Sequence, residues 1–147
     1  MKWAAMPKSI DIGRVILVSP FTSLIDMAHL LIGSKVPGLS WLLQHNYDNM
    51  EAVETLCNKS TTHWNFLRSI VIFHGPHDRI IPVEMGRRLA NMATSSSSCS
   101  HVLVQIIEPE AGHNDIFVRA RDQILSAMTP VSPITHPILT TQAPAFI

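Results

Sequence analysis

The stretch SIVIFHGPHDRIIP, residues 69–82, has two halves with different physical character. Residues 70–73 form an unbroken apolar run rich in β-branched side chains, which is typical of a strand covered on both faces in a parallel sheet. The chain then turns through Gly75, presents Asp78 and enters a helical pattern at Val83. We therefore expect a carboxylate just beyond the carboxyl end of a buried parallel strand, which is the edge where open α/β sheets bind ligands.

Two further apolar runs predict strands before and after this stretch. Residues 14–19, RVILVS, lack polar alternation, which predicts a strand with both faces buried, and residues 102–107 are apolar apart from Gln105. Helical patterns occupy residues 24–33, 50–56, 83–93 and about 115–128. This alternation predicts the α/β class, with a three-layer αβα architecture around a mostly parallel sheet.

Side chains that can cap a helix precede three of the predicted helices. The candidate N-caps are Thr22 or Ser23, Asp48 or Asn49, and Asn114 or Asp115. Residues 94–100, TSSSSCS, predict a flexible low-complexity loop. Gly112 is expected to let the backbone turn sharply before His113.

The composition limits the classes of function. The chain has 147 residues, is 46% hydrophobic and 15% charged, and balances eleven basic residues against eleven acidic ones. These values predict one globular domain and give no support for electrostatic binding of nucleic acid. We assign residues 1–128 to this domain and expect the Pro- and Thr-rich tail, residues 129–147, to be disordered. No apolar run approaches the roughly 20 residues that a transmembrane helix needs.

The cysteines and the amino-terminal residues predict the cellular compartment of the protein. Cys57 and Cys99 are the only cysteines and neither lies in a C-x-x-C motif, so two reduced thiols are expected. The opening MKWAAMPKS has too short an apolar segment for a secretory signal, and Lys2 stands where N-myristoylation requires glycine. The predicted compartment is the cytoplasm, with peripheral membrane contact of a full-length protein as the alternative.

Two polar residues follow neighbouring predicted strands in the sequence. Asp78 follows the second strand and His113 follows the third. In a parallel sheet both loops lie at one edge, and adjacent strands are about 5 Å apart. If these two strands are adjacent, Asp78 can accept a hydrogen bond from Nδ1–H of His113, which leaves Nε2 free as a base. The spacing predicts the acid–base half of a nucleophilic triad.

The two loops resemble the last third of the α/β-hydrolase fold. HGPHD at residues 74–78, with Pro82, is similar to the acid loop of that family, and AGHND at residues 111–115 is similar to its histidine loop. SPFTSL, residues 19–24, looks like the segment after the sixth strand in one branch, the depalmitoylase and serine aminopeptidase-like hydrolases. The resemblance covers residues 14–128. It implies a partial hydrolase fold of the last three strands and their helices, with Asp78 as catalytic acid and His113 as base.

One part of the family pattern is missing. The family nucleophile lies in G-x-S-x-G upstream of the strand at Arg14, and no such motif occurs in the chain. The nearest string, GLSWL at residues 38–42, lacks the second glycine and follows no predicted strand, so Ser40 is not expected to be the nucleophile. The oxyanion hole is missing with the nucleophile, because the residue after it supplies one donor. By the same resemblance, residues 2–6 would end the helix that follows the nucleophile.

Two hypotheses from different classes follow. The first is the C-terminal part of a serine hydrolase that cleaves acyl esters, thioesters or amides, with a small-molecule or acylated-protein substrate, no cofactor, and a serine outside this chain. The second is a catalytically inactive interaction or regulatory module, or a truncated gene product with an incomplete fold. The strand at residues 15–18 should lack a neighbour on one side, so the isolated chain is expected to self-associate or aggregate through an unpaired sheet edge.

Several side chains have a competing structural interpretation. His74, His77 and Asp78 could suggest a metal site, but the geometry at a strand end spreads their side chains, so no metal is expected. We interpret His74 as a packing residue at the strand end. The remaining candidates are Ser19 and Ser23, interpreted as turn and cap residues, and Trp41 and Tyr47, interpreted as packing residues.

Overall fold

Three parallel strands form the centre of the protein. The computed structural model describes residues 13–33, 47–58 and 67–129. The strands are β1 (Arg14–Val18), β2 (Ser69–Phe73) and β3 (Leu103–Ile107), in the spatial order β1-β2-β3, and both neighbouring pairs are parallel. The α/β class and the parallel sheet are therefore confirmed, and the strands that precede Asp78 and His113 are neighbours.

The strand register brings three chain segments to one edge of the sheet. Val18 pairs with Phe73, and Phe73 pairs with Ile107, so all three strands end at the same level. The backbone ladder continues one residue further, because the N–H of Ser19 donates to Phe73 and that of His74 donates to Ile107. The loops that follow β2 and β3 therefore leave the sheet side by side.

Five α-helices lie within the described residues, and the predicted caps of the first two are present. The helices are α1 (Leu24–Ile32), α2 (Asn49–Cys57), α3 (Val83–Ser95), α4 (Ile116–Arg119) and α5 (Arg121–Met128). Ser23 caps α1 by accepting a hydrogen bond from the Asp26 N–H at 3.0 Å, and Asp48 caps α2. Gly33 ends α1 with φ of 94°, a conformation that glycine adopts without strain.

Helices cover both faces of the sheet. Ile70 and Ile72 of β2 point to one face, where they pack with residues of α2 and α3 such as Val53 and Leu89. The alternate β2 residues, Val71 and Phe73, point to the other face and pack with Ile116 of α4 and Ile124 of α5. Because all five β2 residues are buried, the strand has the continuous apolar sequence expected between two helical layers.

The outer strands are less buried than their sequences predict. The five residues of β1 are all half-buried, whereas residues 14–19 were expected to be covered on both faces. In β3, Leu103 is 68% exposed. Both strands have a neighbour on one side only among the described residues, and this position at the edge explains the exposure.

The structure also corrects two predicted elements. The last helix is interrupted at Ala120, whose ψ of 14° departs from helical geometry, so α4 and α5 are separate helices. The predicted loop at residues 94–100 is instead the end of α3 followed by a 3₁₀ turn, Ser97–Cys99.

Cys57 and Cys99 form a disulfide, which contradicts the expectation of two reduced thiols. Cys57 is the last residue of α2 and Cys99 ends the 3₁₀ turn that leads to β3, and both side chains are buried. The expectation was wrong because α2 packs against that turn, a contact between residues 42 positions apart in sequence. The thiol-based argument for a reducing compartment therefore no longer applies.

No helix within the described ranges is both long and apolar enough to cross a bilayer. Four predictions lie outside those ranges: the helical end at residues 2–6, Ser40, Trp41, and the tail beyond Thr129.

Candidate functional site

Asp78 and His113 meet at the carboxyl edge of the sheet. Nδ1 of His113 lies 2.8 Å from Oδ2 of Asp78. The Asp78 side chain is fully buried, while the His113 side chain is 31% exposed. The structure therefore brings together the two residues that the sequence singled out, with the imidazole between a buried carboxylate and the surface.

Both carboxylate oxygens of Asp78 are held in place. Oδ1 accepts hydrogen bonds from the backbone N–H groups of Ile80, at 2.9 Å, and Ile81, at 2.8 Å. Burial raises the pKa of the Asp78 carboxyl, but the hydrogen bonds from Ile81, His113 and Ile80 outweigh burial and hold that pKa below its ordinary value. The side chain is therefore an ionised carboxylate with Oδ2 directed at the imidazole.

This contact fixes the tautomer of His113. An ionised carboxylate can only accept hydrogen bonds, so Nδ1 of His113 is the donor and carries the proton. Nε2 then has a free lone pair, and it has no hydrogen-bond partner among the described residues. A histidine oriented in this way can take a proton from a neighbouring hydroxyl or water.

The two loops that carry these side chains touch through their backbones. A Cβ atom on Gly75 would lie 2.0 Å from the carbonyl oxygen of Ala111. The same carbonyl accepts a hydrogen bond from the His77 N–H at 3.2 Å. Glycine is therefore required at residue 75 by the close approach of the second loop, since any side chain would push the loops apart.

Asp115 stabilises the histidine loop, residues 108–115, through a hydrogen bond to its backbone. Oδ1 of Asp115 accepts a hydrogen bond from the Gly112 N–H at 2.6 Å, and Oδ2 pairs with the Arg119 guanidinium. Arg119, together with the Gly112 N–H, holds the pKa of the Asp115 carboxyl below its ordinary value. Asp115 is the N-cap residue of α4, as one of the two candidates predicted, but its side chain forms no cap hydrogen bond with that helix.

Gly112 does not have the role expected from the sequence. Its φ is not in the left-handed region, which among the described glycines only Gly33 occupies. A Cβ atom at residue 112 would be 3.4 Å from its nearest neighbours, which is ordinary contact. The loop before His113 turns by means of the Asp115 hydrogen bond rather than through a glycine-specific conformation.

An ion pair connects α3 to Glu108, the first residue of the histidine loop after β3. The Arg87 guanidinium donates two hydrogen bonds to Glu108, at 2.7 and 2.6 Å. This bond to Arg87 lowers the pKa of the Glu108 carboxyl. The pair is largely exposed, so we assign it a small contribution to stability.

The two histidines of the acid loop point in different directions. His74 is completely buried, and its Nε2 lies 2.9 Å from the Ile81 carbonyl oxygen. The His77 side chain is 67% exposed and pairs with Glu110 at 2.7 Å. The described residues contain no group of three His, Cys, Asp or Glu side chains that could hold a metal ion.

Ser19 directly follows β1 at the carboxyl edge of the sheet, and the sequence did not predict its positive φ. Its φ is 46°, which is unusual for a residue other than glycine, and its buried hydroxyl has no hydrogen-bond partner among the described residues. The interpretation of Ser23 as a cap is confirmed, and Ser19 lies at a bend directly after β1. Tyr47 is 68% exposed, so its interpretation as a packing residue is wrong.

One cavity among the described residues lies away from this site. It has a volume of about 610 Å³ and is lined by residues of all three strands and of α5, among them Arg14, Ser69, Gln105 and Ser126. Neither Asp78 nor His113 lines it.

Comparison of the chain with protein-family models, with curated proteins and with solved structures finds no match.

Proposed function

We propose that Asp78 and His113 are the acid–base pair of a serine-hydrolase-type site that cleaves acyl esters, thioesters or amides. The observation that carries this proposal is the 2.8 Å contact between His113 Nδ1 and Asp78 Oδ2, made by loops after two adjacent parallel strands. The partial α/β-hydrolase fold belongs to the same proposal, and the order of its three strands supports it.

The proposed chemistry follows from the tautomer of His113. Nε2 takes the proton of a serine hydroxyl as that oxygen attacks the acyl carbon, and later gives it to the leaving group. Nε2 then takes a proton from a water molecule as that water attacks the acyl carbon, and it returns the proton to the serine oxygen as the carboxylic acid leaves. Asp78 keeps the imidazole oriented and stabilises the imidazolium during each step, because its charge is buried and held by two backbone N–H groups.

In this proposal the nucleophile is a serine outside this chain, because the chain has no G-x-S-x-G motif. The expected substrates are small acylated molecules or acylated proteins, and none of these steps uses a cofactor. Reading the coding DNA upstream of Met1 for an in-frame G-x-S-x-G motif is the least costly test of the source of that serine.

A fluorophosphonate probe tests the proposed function directly. We expect the 147-residue chain alone to remain unlabelled, and a complex or fusion with a segment carrying G-x-S-x-G to become labelled at the serine. His113→Ala should abolish this labelling, while His77→Ala, which removes an exposed histidine from the adjacent loop, should leave it intact. Labelling that survives His113→Ala, or no labelling in a complex shown to have formed, would overturn the proposal.

One observation favours the alternative, an interaction or regulatory module without catalysis. Among the described residues, no hydroxyl or thiol contacts Nε2 of His113, and both cysteines are bonded to each other. A chain that sediments as a compact monomer and unfolds cooperatively, with no upstream G-x-S-x-G in frame, would support the module over the hydrolase.

A further inference from the structure

His74 is a fully buried polar side chain to which the proposed reaction gives no role. It directly follows β2 and is 0% exposed. Its Nε2 lies 2.9 Å from the Ile81 carbonyl oxygen, and because a carbonyl only accepts, Nε2 carries the proton and donates it. Nδ1 is buried without a hydrogen-bond partner among the described residues. The ring is thus held by one specific hydrogen bond.

That hydrogen bond closes the turn that presents Asp78. Ile81 accepts from His74 through its carbonyl oxygen and donates through its N–H to Oδ1 of Asp78 at 2.8 Å. The position of Ile81 therefore sets where the carboxylate lies, and the other oxygen, Oδ2, meets His113. Nε2 of His74 is itself 3.7 Å from Oδ2 of Asp78, too far for a direct hydrogen bond.

Helix α3 packs against the Nδ1 side of the His74 ring, opposite the hydrogen bond between Nε2 and Ile81. A Cβ atom on Gly86 would lie 2.5 Å from Nδ1 of His74 and 3.1 Å from Cγ. The ring therefore fills the space between the α3 backbone and Ile81. Gly86→Ala would therefore displace the ring while leaving the identities of His74, Asp78, Ile81 and His113 unchanged.

We propose that His74 is a positioning residue, which holds the turn at residues 78–81 closed through Ile81 and so directs Asp78 toward His113. The inference rests on the proposed function only for the catalytic purpose of the Asp78–His113 pair. The hydrogen bonds from His74 to Ile81, from Ile81 to Asp78 and between Asp78 and His113 form without a nucleophile. The positioning role of His74 and the hydrolase function can therefore fail separately.

Amide hydrogen exchange of the 147-residue chain reports whether the turn stays closed, because the Ile81 N–H is hydrogen-bonded to Oδ1 of Asp78. His74→Leu fills similar space but removes the donor, and we expect the Ile81 amide to exchange about tenfold faster or more. His74→Gln can place an N–H near the former Nε2 position and should restore slow exchange. The exposed neighbour provides the matched control, because His77→Gln should leave Ile81 exchange unchanged.

A second measurement separates positioning of the site from general packing. In ring ¹⁵N–¹H spectra, the Nδ1–H signal of His113 should be present in the wild type and in His74→Gln, and weakened or lost in His74→Leu. A merely structural His74 would leave this signal unchanged. Slow exchange of the β2 amides shows in each variant that the sheet remains folded.

The outcomes decide the inference in every case. Either unchanged Ile81 exchange or an unchanged His113 signal in a folded His74→Leu variant would overturn it. If His74→Leu does not keep its β2 protection, the decision passes to Gly86→Ala, where faster Ile81 exchange supports the inference and unchanged exchange overturns it. Failure of the fluorophosphonate experiment would affect only the proposed function.

Discussion

Gly75 passes so close to Ala111 that a Cβ atom on Gly75 would lie 2.0 Å from the Ala111 carbonyl oxygen. The contact joins the backbone of the loop after β2 to the backbone of the loop after β3, so no change of side-chain rotamer can relieve it. It sets the separation of the two loops and therefore of Asp78 from His113.

We expect Gly75→Ala to destabilise the fold by about 3 kcal/mol, because the added methyl group must push two backbone segments apart. Urea unfolding measures the change in the free energy of unfolding. Gly13→Ala is the matched control, since a Cβ atom there has no neighbour within 4 Å, and its effect should stay within about 0.5 kcal/mol. Equal stability of the two variants would show that the loops do not meet as described.

Asp78→Asn should reverse the tautomer of His113. The amide oxygen can still accept from Ile80 and Ile81, so the amide nitrogen faces Nδ1 of His113 and can only donate. The imidazole must then carry its proton on Nε2, where it cannot act as a base. Ring ¹⁵N chemical shifts report the tautomer, and Asp122→Asn, on the exposed side of α5, is the control. A ring that keeps its proton on Nδ1 in Asp78→Asn would contradict this prediction.

The lowered pKa of Asp78 makes stability depend on pH in acid. Above the ordinary carboxyl pKa of about 4 the group is ionised in folded and unfolded chains alike, so its full contribution is present. As the pH falls, the unfolded chain binds the proton first, and the contribution declines until the pH passes below the folded pKa.

The urea midpoint of the wild type should therefore fall as the pH is lowered below about 5, and that of Asp78→Asn should fall less. Glu108 and Asp115, whose pKa values are also lowered, remain in both proteins and add the same background. The same pH dependence in both proteins would mean that Asp78 is not held as an anion by its partners.

Removing the disulfide should lower stability without abolishing the sheet. The bond closes a loop between residues 42 positions apart, for which chain entropy predicts about 4 kcal/mol of stabilisation. Unfolding with and without a reductant, or of a Cys57→Ser, Cys99→Ser double variant, measures this effect. The intact mass of the untreated protein, before and after alkylation under denaturing conditions, shows whether the bond is present. Two alkylated thiols in protein purified without reductant would contradict the structure.

The isolated chain should self-associate through β1. Among the described residues β1 pairs with β2 alone, and its apolar sequence on a sheet edge favours pairing with another chain. Sedimentation velocity should show association that rises with concentration, accompanied by slower exchange of β1 amides but not of those of β3. A compact monomer at every concentration would rule out this prediction.

Local sequence patterns predicted most of the fold. The apolar run of β2 lies between two helical layers, and Ser23 and Asp48 cap the helices that they precede. These features depend on neighbours within a few residues. The half-buried state of β1 and the break at Ala120 were not predicted, because both depend on which elements lie beside them in space.

The sequence by itself determined that Asp78 and His113 follow successive parallel strands, and parallel strands end at one edge of a sheet, so their meeting could be expected. Only the tertiary structure decided that β2 and β3 are neighbours, that Cys57 bonds to Cys99, and that Ala111 requires glycine at residue 75. Each of these contacts joins residues more than 30 positions apart. Periodicity and capping act over a few residues, so they carry no information about such pairs.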